Sequence, residues 1–227
     1  MAEFQPTLWS VVLRAKDPAD PHCATALNRL CATYWPPVYV YLRRKGIAEK
    51  DAEDATQAYF THFLSKNLLD RVDRGRGRFK NYLLATLEHF LANEWRVAHA
   101  AKRGTAPLSL DRARGETQVG IDPADPETPE RAFKRSWALT VLQNAFDALK
   151  AELGATFDAV RGHLSAAGDR ASYDELAKRL GIPVTDVTNL LHRSKKRLRD
   201  LIRSALRETV DSESAVDDEV RELFENL

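Results

Sequence analysis

Ser172-Tyr-Asp-Glu-Leu-Ala-Lys-Arg-Leu-Gly-Ile-Pro183, followed by a basic amphipathic run from Val184 to Arg203, is the stretch that decides the fold. Ser172 and Glu175 have the spacing of a capping box, in which each side chain satisfies a backbone N–H of the other at a helix start. Gly181, Ile182 and Pro183 then break the helix. A second helix begins near Val184 and carries Val187, Leu190, Leu191, Leu198, Leu201 and Ile202 on one face. Short helix, tight glycine-containing turn and longer helix make the helix-turn-helix pattern.

Upstream, helical periodicity dominates and almost nothing alternates with the period of a strand. Phe79, Tyr82, Leu83, Thr86, Leu87, Phe90 and Leu91 share one face, with Lys80, Glu88 and Asn93 on others. Before it, Ala52 to Leu64 reads as a helix opened by Asp51, Glu53 and Asp54, where the helix dipole favours acids. An earlier pair runs from about Thr7 to Ala15 and from about His22 to Lys45, with a bend expected at Pro36 and Pro37. Gly104, Pro107, Gly115, Gly120, Pro123, Pro126 and Pro129 mark an interdomain linker. Helices near Glu130 to Lys150 and Phe157 to Ala166 follow it. The expectation is an all-α chain: an N-terminal helical bundle over 1–103, a flexible linker over 104–129, a helix-turn-helix domain over 130–207 and an acidic C-terminal tail over 208–227, either a frayed helix or one that docks separately.

The length of 227 residues suits two small domains, and the net charge of +1 points by itself to neither nucleic acid nor membrane. No run approaches a membrane span and Met1 to Ser10 lacks the regions of a signal peptide, so a cytoplasmic location with no membrane partner is expected. Cys23 and Cys31 have no zinc-ligand spacing and read as small core residues.

Charge is partitioned along the chain. Arg71, Arg74, Arg76, Arg78, Lys80, Arg96, Lys102 and Arg103 outnumber Asp73, Glu88 and Glu94, and Arg193, Lys195, Lys196, Arg197, Arg199 and Arg203 face only Asp186 and Asp200. Each basic segment is either a solvated face or a surface for DNA phosphates, and two linked weak modules gain effective concentration on a composite site. In a helix-turn-helix the start of the second helix enters the major groove. Thr185, Thr188, Asn189 and His192 are therefore the candidates for reading bases, while Arg193, Lys196 and Arg197 suit the phosphate backbone. In the first domain a glycine-bearing basic loop, Arg71 to Arg78, feeds a helix rich in aromatics, a combination suited to single-stranded DNA. Core packing is the competing role for Phe79, Tyr82 and Phe90, and Trp95 beside Arg96 is the better stacking candidate.

These residues resemble a known family. Asp51-Ala-Glu-Asp-Ala-Thr-Gln57, Arg74-Gly-Arg-Gly-Arg-Phe79 and the helix to Lys102-Arg103-Gly104 resemble region 2 of the extracytoplasmic-function (ECF) sigma factors of RNA polymerase, within the sigma-70 family. Ser172 to Pro183 and Leu191-His-Arg-Ser-Lys-Lys-Arg-Leu-Arg199 resemble region 4. The resemblance covers about two thirds of the chain in the expected order. It implies a sigma factor that binds core RNA polymerase and directs promoter recognition, DNA melting and transcription initiation, with duplex promoter DNA and the melted strand as partners. It further implies polymerase binding through Asp51, Glu53, Asp54 and Gln57, a minus-10 surface of Arg76, Arg78, Lys80, His89, Asn93, Trp95 and Arg96, and a minus-35 surface of Thr185, Thr188, Asn189, His192, Arg193, Lys196 and Arg197. His89 stands where the family often has Asn, and Thr188, Asn189 and Leu190 where Lys, Ser and Arg are common, so the promoter sequence does not carry over.

The competing reading is a helix-turn-helix transcriptional regulator whose first domain senses a ligand or dimerises. It leaves the acidic helix and the basic loop without a role. An enzyme is the third class: the six histidines form no metal-binding spacing, and the chain has neither a Gly-rich phosphate loop nor a nucleophile elbow, so no catalytic residue, metal or cofactor is expected. An anti-sigma factor or a Ser/Thr kinase are candidate partners. After Asp54 no acid follows until Asp70, and phosphorylation of Thr56 or Thr61 in that gap would add negative charge for a basic partner.

Overall fold

The computed structural model describes residues 10–72, 78–95, 127–164, 171–210 and 212–227. Every regular element among them is helical, and no strand occurs among the described residues. In order they are α1 (Ser10–Lys16), α2 (Cys23–Arg44), α3 (Glu49–Ser65), a 3-10 turn (Leu68–Arg71), α4 (Phe79–Phe90) continued by a π-helical turn (Leu91–Trp95), α5 (Pro129–Leu153), α6 (Thr156–Leu164), α7 (Tyr173–Leu180), α8 (Val184–Arg207) and α9 (Glu213–Glu225). The chain divides into two compact units, 1–140 with 207–227, and 141–206.

This division departs from the expected boundaries in two places. It falls within α5 rather than at the end of a linker, and the acidic C-terminal segment, expected as a separate tail, belongs to the first unit. Of the expected linker, residues 104–126 lie outside the described part.

The first unit is built on aromatic packing. Tyr34, Tyr41, Tyr59, Phe79, Phe133 and Trp137 are almost wholly buried, and each such side chain contributes on the order of 2 kcal/mol through apolar burial. Tyr34 meets Phe79 edge-on at 5.3 Å, and Tyr59 meets Phe90 edge-on at 5.6 Å. The Tyr59 hydroxyl, buried where an unmade hydrogen bond is costly, donates to the Leu83 carbonyl at 2.9 Å. Phe79 and Phe90 are buried in this packing and are core residues. The helix α2 continues through Pro36 and Pro37. Cys23 and Cys31 are free and half-buried.

The C-terminal segment docks by backbone and side chain together. The Phe79 N–H, at the start of α4, donates to the Thr209 carbonyl at 3.4 Å. Glu208 pairs with Arg29 at 2.8 Å, and Val216 and Leu223 of α9 are fully buried.

The second unit has its own small core of Ala159, Val160, Leu176, Val187 and Leu191, ringed by partly buried residues that include Leu180, Ile182 and Leu190. The capping box forms as the spacing predicts: the Glu175 N–H donates to the Ser172 hydroxyl at 3.2 Å and the Ser172 N–H to the Glu175 carboxylate at 2.7 Å. Gly181 ends α7 in the left-handed region at φ 65°, where a Cβ is disfavoured whatever the free space around it.

Candidate nucleic-acid interface

The start of α8 alternates by helical period between core and solvent. Val187, Leu191, Ser194 and Leu198 point into the second unit, which leaves Thr185, Thr188, Asn189, His192, Arg193, Lys196 and Arg197 exposed. All seven residues singled out for duplex DNA therefore share the solvent side of one helix. Their roles differ by what holds them. Thr188 donates to the Val184 carbonyl at 3.2 Å, which fixes its methyl and hydroxyl against the helix. Arg197 makes a bidentate pair with Glu152 of α5, with contacts of 2.8 and 2.7 Å, so its guanidinium is already engaged by a carboxylate. That pair lowers the pKa of Glu152 from its ordinary value, with the hydrogen bond from Arg197 as the chief cause.

On the first unit the structure separates the expected minus-10 residues. Arg76 and Arg96, with the side chain of Trp95, lie outside the described residues. His89 and Asn93 are exposed and in contact, the Asn93 amide lying 3.0 Å from His89 Nε2. His89 also borders an open groove of about 590 Å³ lined by His62, Lys66, Arg71, Tyr82 and Thr86.

Arg78 and Lys80 stand differently. Lys80 was expected away from the apolar face of α4, yet its side chain is 3% exposed. Its ammonium lies 4.0 Å over the Trp137 ring, 2.7 Å from Glu219 and 3.0 Å from Glu222. Arg78 pairs with Glu219 at 2.9 Å and also with Glu222, and Lys134 meets Glu222 at 3.0 Å. In this conformation Lys80 is not available to DNA. The physical reason is that α9 supplies the counter-charge that lets an ammonium be buried. Burial pushes the Glu219 carboxyl above its ordinary range despite Lys80 and Arg78 beside it. Burial acts likewise on Glu222, but there Lys80 and Lys134 prevail and hold it below that range.

The acidic residues expected to meet polymerase open α3. Glu53, Asp54 and Gln57 are exposed and Asp51 is half-buried. Thr56 corrects an expectation: it is fully buried and donates to the Ala52 carbonyl at 2.7 Å, so a kinase has no access to it and a phosphate has no room. Thr61 is exposed and donates to the Gln57 carbonyl at 2.9 Å.

Sequence reasoning missed Glu152, Glu219, Glu222 and Lys134. The signal for the two glutamates was present, since an acidic C-terminal segment and a basic segment around Arg78 are natural partners. No group of His, Cys, Asp and Glu among the described residues is arranged to hold a metal, and no described helix is long and apolar enough to cross a membrane. Compared with known proteins, the chain matches no family model, no curated protein and no solved structure.

Proposed function

We propose that this protein is a sigma factor of the ECF type, which binds core RNA polymerase and directs promoter recognition and opening. Its finer architecture in this reading is a region 2-like domain and a region 4-like helix-turn-helix domain joined by a linker. The observation that carries it is the α8 surface. Thr185, Thr188, Asn189 and His192 lie together on the outer side of a capped helix-turn-helix, with Arg193 and Lys196 one turn further on. That order is the one a major-groove reader needs, bases first and phosphates next. The exposed acids Glu53 and Asp54 support the polymerase-binding half, because an acidic helix face complements a basic protein partner.

One observation favours a second reading, a helix-turn-helix regulator whose first unit does not touch DNA. Lys80 is buried and Arg78 is held by α9, so two of the expected minus-10 residues are already paired. Comigration of the purified chain with core polymerase, followed by run-off transcription from a promoter library, separates the two. The sigma reading requires both. A chain that binds duplex DNA tightly and specifically alone, and ignores polymerase, is the regulator.

A further inference from the structure

The charges at the seat of α9 are unequal. Three cations from two other helical segments, Arg78, Lys80 and Lys134, converge on two carboxylates of α9, with Arg78 and Lys80 at 2.9 and 2.7 Å from Glu219 and both lysines at 3.0 Å from Glu222. The Lys80 ammonium is held between those carboxylates and the face of Trp137. Buried ion pairs are a poor way to glue a helix down, because desolvation of the charges offsets most of their attraction and apolar side chains serve as well. Val216 and Leu223 already anchor α9 in that way. What the arrangement provides that apolar packing does not is a cationic shelf with an aromatic backing, complementary to an anion when α9 is absent. Two carboxylates on successive turns of one helix face occupy it as two phosphates of a strand would.

We propose that this shelf is a binding surface for single-stranded DNA, and that α9 covers it in cis as a competing polyanion. The inference rests on the sigma-type reading and adds a regulated step to it. A single strand fits better than a duplex, because its flexible backbone lets successive phosphates follow closely spaced cations. The competition is intramolecular: α9 closely follows Glu208 and Thr209, which are themselves held within the first unit by Arg29 and the Phe79 N–H, so its carboxylates act at a high effective concentration. A strand in dilute solution loses to them. A strand delivered beside the shelf, as on a DNA duplex already gripped elsewhere by the same protein, competes on equal terms.

The test titrates one sequence, as single strand and as duplex, into three proteins. These are the wild-type chain, the double variant Glu219→Gln with Glu222→Gln, and a chain lengthened at Asp211 by about ten Gly-Ser residues, which dilutes the competitor and leaves every contacting group in place. Single-strand affinity rises at least about tenfold in both altered chains. Arg78→Ala in the lengthened chain removes that gain, and duplex affinity changes little. In the wild type, hydrogen exchange across residues 216–223 accelerates when the single strand is added in an excess that overcomes the tethered competitor. Unchanged affinity in the lengthened chain, unchanged exchange in the wild type, or a gain that survives Arg78→Ala each overturns the inference. Comigration with polymerase is measured on the same samples. Its absence alongside a clear single-strand gain overturns the sigma reading alone, and its presence without the gain overturns only the role of α9.

Discussion

Asn189 and Arg193 lie on the same solvent side of α8, yet the chemistry of their side chains assigns them different work. An amide presents a donor and an acceptor that match the edge of adenine, whereas in the proposed complex a guanidinium one turn later meets phosphates, which are alike at every base pair. Asn189→Ala is therefore expected to flatten the preference at one position of the site, with a loss of about 1–3 kcal/mol against the favoured base. Arg193→Ala and Lys196→Ala lower affinity for all sequences by similar factors. A binding-site selection on the three variants checks this, and a preference unchanged in Asn189→Ala places the reading face elsewhere. Which residues of α8 face solvent was legible beforehand, since Val187 and Leu191 fix its inner face by simple periodicity and so determine what points out. Lys80 was not legible. Its helix period put it off the apolar face, and the partner that buries it lies 139 residues away, beyond the reach of any local pattern.

Among the elements, α7 and α8 are determined by local chemistry: a capping box, a left-handed glycine and an apolar stripe each act within a few residues. The placement of α9 depends instead on long-range contacts, which is why its sequence suggested a helix, frayed or docked, without saying where it docks. Its docking also depends on pH. Glu208, in the segment leading into α9, is buried, and burial pushes its carboxyl up to about 7 even though Arg29 and Arg14 beside it act in the opposite direction. A carboxyl whose folded pKa is raised contributes stability that is complete below its unfolded value and is lost as pH rises through the folded one. Between about pH 4.5 and about pH 7 the attachment of this segment should thus weaken as pH increases. The check is the thermal midpoint of wild type and Glu208→Gln across that range. The wild-type midpoint falls with rising pH, and the variant, which cannot ionise there, falls less. Parallel curves would show that Glu208 remains charged throughout and that its pairing with Arg29 governs.

For the whole molecule, the net charge of +1 conceals two cationic surfaces in different states of neutralisation. On α8, Arg193, Lys195, Lys196 and Arg199 are exposed, whereas Arg197 is paired with Glu152. On the first unit, Arg78 and Lys80 are paired with α9. Each phosphate neutralised by a protein cation releases counterions, so the slope of log affinity against log salt counts the cations in use. If only the α8 surface is open in the free chain, its binding to duplex DNA has a slope of about −4, and affinity at physiological salt is weak. If Arg78 and Lys80 of the first unit contribute as well, the slope approaches about −5. Measured over about 50 to 200 mM salt, a slope near the smaller figure identifies α8 as the surface that engages duplex DNA first. Lys196→Ala then reduces it by about one, because one phosphate contact is gone. A slope near the larger figure would mean that the ion pairs of α9 give way to duplex DNA without any other trigger.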